Sequence, residues 1–176
     1  MTSSTHDTEV STGWFVRAGE RILRTRWLVR APIALFRAGL GSVFGGRLLL
    51  LEHIGRTSGL TRYVALEVVA RPTPRSFVVA SGFGTRAQWY RNVLAQPQVR
   101  VRWSSRPAAA AIAHQLSAAE AHVILRAYAT EHPRAWAKLI PVFEATLGAP
   151  IGGEASTLPL IRLDLVTRDA RSDAVV

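Results

Sequence analysis

The sequence predicts an α+β fold: about six mostly antiparallel strands closed into a barrel, with helices at its periphery. Short apolar or alternating runs crowd into Arg47–Ala113 and recur once more at Leu158–Val166. The connections between them are too short for helical crossovers, which favours antiparallel neighbours. The helical stretches are set aside, before Arg47 and after Ser117, and do not alternate with strands.

Each element follows from its local pattern. Met1–Thr12 is polar, carries Asp7 and Glu9 and lacks a basic start followed by an apolar run, so residues 1–13 are expected to be a disordered tail and not a secretory signal. Residues 14–170 are expected to form one domain. Trp14–Phe44 reads as helical, with Pro32 at a break or in the first turn of a second helix. Arg17, Arg21 and Arg24 recur at helical spacing opposite Leu23, Trp27 and Leu28, a basic amphipathic pattern that allows contact with an anionic membrane surface. The apolar region Ala34–Leu51 is interrupted by Arg37, Arg47 and several glycines, which argues against a membrane span.

RLLLLEHI from Arg47 is a nearly continuous apolar run, as in a buried strand, and GRTSG (Gly55–Gly59) turns the chain. TRYVALEVVA gives a second strand, RPTPR a proline-rich turn and SFVVAS a third strand. Ala87–Gln96 reads as a short helix ended by Pro97. QVRVRW then alternates, with Val99, Val101 and Trp103 on one side and Arg100 and Arg102 on the other. AAAAIAH is an edge or partner strand. Ser117 and Glu120 form a capping box that opens a helix near Ala118, running to about Glu131. A second helix follows Pro133 to Thr146, GAPIGGEAST is a loop, and LPLIRLDLV closes the sheet.

Composition narrows the chemistry. With 48% hydrophobic and 19% charged residues the chain has a globular balance. It has no cysteine, which excludes disulfides, thiolate metal sites and thiol catalysis and fits a cytoplasmic protein. The net charge is +10, and Lys138 is the only lysine among 22 basic residues. Arginine pairs bidentately with carboxylate and phosphate, so the balance points to an anionic partner. Nucleic acid is disfavoured, because basic residues are not clustered among aromatics. Phosphate-loop, dinucleotide-fingerprint and nucleophile-elbow motifs are absent, acidic residues are scattered, and the histidines lack metal-binding spacing, so no metal site is expected.

Two segments carry a ligand signal. In GRTSG, Arg56, Thr57 and Ser58 stand between glycines after a buried strand and suit an anion, with Gly59 closing the turn. In VVASGFGTRAQWYRN, Ser81, Gly82, Phe83 and Gly84 let backbone approach a ligand, and Trp89, Tyr90, Arg91 and Asn92 follow at the start of a helix. The same pattern also suits an ordinary strand-to-helix corner with Trp89 and Tyr90 plugging the barrel end.

A strand ending in GRTSG, a second strand, then VVASGFG and QWYRN before a proline and VRV, resembles the deazaflavin-dependent nitroreductase family, over roughly Arg47–Trp103. The resemblance implies a split β-barrel that binds the deazaflavin coenzyme F420, with GRTSG and the SGFG–WYRN region holding its phosphate and glutamate tail. It implies hydride transfer from the reduced coenzyme to a small-molecule electron acceptor such as an activated alkene or nitro-heterocycle. The chain departs from the family at Arg91, where members often carry histidine. Tyr63, Tyr128 or solvent is the candidate proton donor. The alternatives are a split-barrel oxidoreductase that uses flavin mononucleotide (FMN) and a non-catalytic cofactor- or lipid-binding protein, and a homodimer is compatible with either.

Overall fold

The computed structural model describes residues 31–137, 140 and 158–166. The expected tail, the helix from Trp14 with its arginine face, the end of the helix after Pro133 and the GAPIGGEAST loop lie outside the described residues. The chain enters through helix α1 (31–37) and a 3₁₀ turn at Gly41–Phe44. Six strands follow: β1 (Leu48–Ile54), β2 (Thr61–Thr73), β3 (Ser76–Ala80), β4 (Gln98–Trp103), β5 (Ala109–Gln115) and β6 (Leu160–Leu165). Helix α2 (Gln88–Ala95) links β3 to β4, and helix α3 (Ala118–Glu131) follows β5. A further helical stretch opens at Pro133.

The strands close in the order β1-β2-β3-β6-β5-β4, every pair antiparallel. This is the split-barrel architecture, and closure leaves no strand edge unpaired. β5 is therefore an interior partner between β4 and β6. Leu49, Leu51, Phe77, Val79, Val99, Val101, Ile161 and Leu163 fill the barrel, joined by Trp89, Tyr90 and Val93 from α2. A second cluster lies outside it, where Val78 and Leu160 pack with Ala121, Leu125 and Tyr128 of α3. The apolar run in β3 has this cause: Phe77 and Val79 face the barrel while Val78 faces α3, so both faces are covered.

The RPTPR segment differs from expectation. β2 continues through Arg71, Pro72 and Thr73, and only Pro74 and Arg75 turn the chain. Pro72 is accommodated because the β2–β3 register shifts between Ala70 and Thr73, where the ladder does not need its missing N–H. The α3 cap is as the sequence predicts. The Ser117 side chain accepts from the Glu120 N–H at 3.3 Å, and the Glu120 carboxylate takes the Ser117 N–H at 2.8 Å.

Candidate functional site

The site lies at the barrel end where β1 gives way to GRTSG and α2 begins. Gly55 N–H donates to the Leu60 carbonyl at 2.9 Å and Gly59 N–H to the Gly55 carbonyl at 2.7 Å. Gly59 sits at φ 65°, a left-handed conformation that a side chain would strain. The turn thereby holds Arg56, Thr57 and Ser58 outward, all exposed. Among the described residues, nothing accepts from the N–H groups of Thr57 and Ser58.

The second segment forms a tight corner. The Ser81 hydroxyl, fully buried, donates to the Gly84 carbonyl at 2.7 Å, and Gly84 N–H donates to the Ser81 carbonyl at 2.8 Å. Of the two glycines in SGFG it is Gly84, at φ 58°, that needs the left-handed conformation; Gly82 does not. A 3₁₀ turn, Gly84–Arg86, then leads into α2. Phe83 is thrown out to 64% exposure.

The two segments line one cavity of about 790 Å³, with His53, Arg62, Tyr63 and Val64 from the β1 and β2 ends. Arg56, Thr57, Ser58, Phe83, Trp89 and Asn92 are the expected cofactor-binding residues that meet there, and Tyr63 joins them. Gly59, Ser81, Gly82, Gly84, Tyr90 and Arg91 do not line it. Tyr90 is a core residue at 2% exposure, edge-on to Trp89 with ring centroids 6.0 Å apart. Burial pushes its phenol up from the ordinary value. Arg91 turns back, its Nε donating to the Thr85 carbonyl at 2.9 Å.

Asn92 joins the two halves. Its Oδ1 accepts from the Arg56 backbone N–H at 3.2 Å and from Arg56 Nη1 at 3.0 Å, and its Nδ2 lies 3.3 Å from His53 Nδ1. Arg56 Nη1 also donates to Gln88 Oε1 at 2.9 Å. Burial is the main cause holding the His53 imidazolium below its ordinary pKa; the Ile54 backbone opposes this and Arg62 adds to it. Arg56, Arg62 and Arg86 line the cavity, and among the described residues no aspartate or glutamate does.

Tyr128 lies elsewhere. Its hydroxyl donates to Glu67 Oε1 at 2.7 Å beside a separate hollow of about 400 Å³. Burial, and then Glu67, push its phenol up to about 12.

The F420H(2)-dependent quinone reductase family matches residues 29–142, about two thirds of the chain and all of the cavity. The chain belongs to this family. The F420H(2)-dependent reductases are thus the coarse class of this protein, and nitroreductase is a narrower label than the match supports. A solved F420-H2-dependent reductase, FDR-A, is 20% identical, covering 67% of this chain and 94% of its own, with a TM-score of 0.48. A structure described as a domain-swapped dimer is 20% identical over 87% of this chain and 98% of its own, with a TM-score of 0.49. A putative pyridoxamine 5'-phosphate oxidase from Listeria innocua is 10% identical over 73% and 90%, with a TM-score of 0.48. No curated protein is significantly similar in sequence.

Sequence reasoning missed His53, Arg62, Val64, Arg86, Ala87 and Gln88 as cavity-lining residues of this family member. One signal was present. His53 continues the inward row of Leu49 and Leu51, so a polar residue stands where an apolar row meets a turn, directly across from Arg62. Among the described residues there is no group of acidic residues and histidines that could hold a metal. No helix among them is long and apolar enough to cross a membrane.

Proposed function

We propose that the cavity binds coenzyme F420 and that the protein is a reductase passing hydride from the reduced coenzyme to a conjugated electrophile. The observation that carries this reading is the charge of the cavity: Arg56 and Arg62, with no carboxylate among the described residues that line it, beside an apolar wall of Val64, Phe83 and Trp89. That donor set fits a ligand with an aromatic ring and a polyanionic tail. Arg56, with the hydroxyls and N–H groups of Thr57 and Ser58, holds the phosphate and carboxylates of the tail. Trp89, Phe83 and Val64 pack on the ring and exclude water from it. The bound coenzyme supplies the hydride chemistry; the protein supplies orientation and a dry, electropositive pocket.

The acceptor is of the quinone type that the family name specifies, and an activated alkene or nitro-heterocycle has the same electrophilic character. Reduction of a quinone takes one hydride and one proton. Tyr63 lines the cavity, which supports it as the proton donor, whereas Tyr128 is outside it.

The test is a fluorescence titration of purified protein with oxidised coenzyme F420 and, separately, with FMN. F420 is expected to bind the more tightly. Arg56→Ala is expected to weaken it by about 1.5–3 kcal/mol, roughly ten- to a hundredfold, through loss of a charge-assisted hydrogen bond. The same change costs about 1 kcal/mol of stability, since Arg56 also ties the turn to Gln88 and Asn92. Preference for FMN, or full coenzyme affinity in Arg56→Ala, overturns the reading.

A further inference from the structure

His53 sits where the cavity meets the barrel core, and its hydrogen bonding is decided by residues around it. The Asn92 amide could in principle face either way. Two donors of Arg56, the backbone N–H and Nη1, converge on one of its terminal atoms, at 3.2 and 3.0 Å. Only an oxygen can accept from both, so the other terminal atom, 3.3 Å from His53 Nδ1, is the NH₂ group. An NH₂ group donates and does not accept. His53 Nδ1 must therefore be the acceptor, with a lone pair and no proton, and in the neutral ring the proton is on Nε2.

The position of Nε2 follows from what it lacks. It makes no hydrogen bond of full geometry to any described residue, although the Ile54 backbone lies close enough to the ring to favour its proton. Yet no buried side-chain nitrogen or oxygen among the described residues is without a partner. Nε2 is therefore not sealed in the core. The residue as a whole is only 4% exposed, and it lines the cavity.

We propose that the Arg56–Asn92 pair holds His53 in the Nε2–H tautomer, so that His53 presents a single fixed hydrogen-bond donor to an oxygen or ring-nitrogen acceptor of the bound ring. The inference deepens the coenzyme reading above and rests on it for the identity of the ligand. It also links the two ends of the ligand: the arginine that takes the anionic tail orients the amide that fixes the donor for the ring. A donor on a ring locked by a second hydrogen bond loses little freedom on binding and discriminates by position.

Nitrogen-15 NMR of the full chain decides the tautomer without any ligand. The His53 spectrum is expected to show an unprotonated Nδ1 and a protonated Nε2, and Asn92→Ala is expected to relax this towards a mixture. A protonated Nδ1 in the unaltered protein overturns the proposal. Coenzyme F420 is then titrated into the unaltered protein, His53→Gln and His53→Phe. The Nε2–H signal is expected to shift on binding. His53→Phe, which keeps a ring without a donor, is expected to lose about tenfold in affinity, and His53→Gln, whose amide can reach the same place, to retain most of it. Equal affinity in His53→Phe with the fold intact by circular dichroism overturns the donor role. If the unaltered protein binds no coenzyme, the functional reading fails and the ligand half of this proposal fails with it. The tautomer result is then read separately from the ligand-free spectrum.

Discussion

Two clusters in the molecule share a plan and differ in one functional group. At the cavity, Arg56 donates to the Asn92 side-chain oxygen, and Asn92 in turn meets a titratable ring, His53. On the outside of the barrel, Arg47 donates to Glu67 Oε1 at 3.0 Å, and Glu67 in turn accepts from a titratable ring, Tyr128. An amide oxygen orients a guanidinium much as a carboxylate does, but it cancels no charge. The first cluster therefore keeps its cation for a ligand. The second is internally neutralised, and the hollow beside it is lined by two arginines and two glutamates. Arginines occur in both places, so it is the acceptor opposite them that separates a ligand-seeking cluster from a structural one.

The largest expected effect comes from turning the first cluster into the second. Asn92→Asp places a carboxylate against Arg56 and should lower coenzyme F420 affinity by about a hundredfold, since the cation is cancelled and a negative charge then faces an anionic tail. The comparison is best made at mildly alkaline pH, where His53 adds no compensating charge. Folding should survive, because the Arg56 contacts are kept. Fluorescence titration alongside denaturant unfolding reads both, and an unchanged affinity would break the contrast.

The second cluster should respond in stability alone. Tyr128→Phe removes the hydroxyl from Glu67 but leaves Arg47 in place, so about 1 kcal/mol of unfolding free energy should be lost. Coenzyme affinity should stay within about twofold, the scatter expected of a change that touches no ligand. A larger drop in affinity than in stability would place Tyr128 in the functional machinery and Tyr63 outside it.

Much of this is legible in the amino-acid sequence. Strand alternation and turn residues carried the antiparallel barrel, because each run from Arg47 onward either alternates or is covered on both faces. The capping box fixed the start of α3 almost to the residue. Pro72 misled, because a bulge lets a proline stay inside a strand. In the site, GRTSG and Trp89 were visible as local chemistry. Tyr90 and Arg91 share their short helix with Trp89 but face the core and the preceding turn, and the spacing of residues in a motif does not show which way each side chain points. Ser81 and Gly84 build the corner and do not line the cavity. The Arg56–Asn92–His53 chain was illegible for another reason. It joins residues 36 and 39 positions apart, and only barrel closure brings them together.

The smallest expected effect distinguishes the clusters by the pH at which each loses stability. His53 has a folded pKa below its ordinary value of 6.5, so the unfolded chain binds the extra proton first. Its contribution is complete above about 6.5 and is lost as pH falls through the lower, folded value. Tyr128 runs the opposite way. Its folded pKa is about 12 against an ordinary 10, so its contribution is complete below about 10 and is lost as pH rises towards 12. Unfolding free energy against pH should therefore fall away on both sides of a plateau. His53→Phe should flatten the acid side just below neutrality, leaving the carboxylates Asp164 and Glu120 to act at still lower pH, since both are held below their ordinary values. Tyr128→Phe should shrink the alkaline side without abolishing it, because buried Tyr90 is also shifted upward. Denaturant melts at closely spaced pH values measure both arms. If His53→Phe leaves the acid arm as steep as before, the imidazole is not held neutral by its surroundings, and the parallel between the two clusters fails at its titrating ring.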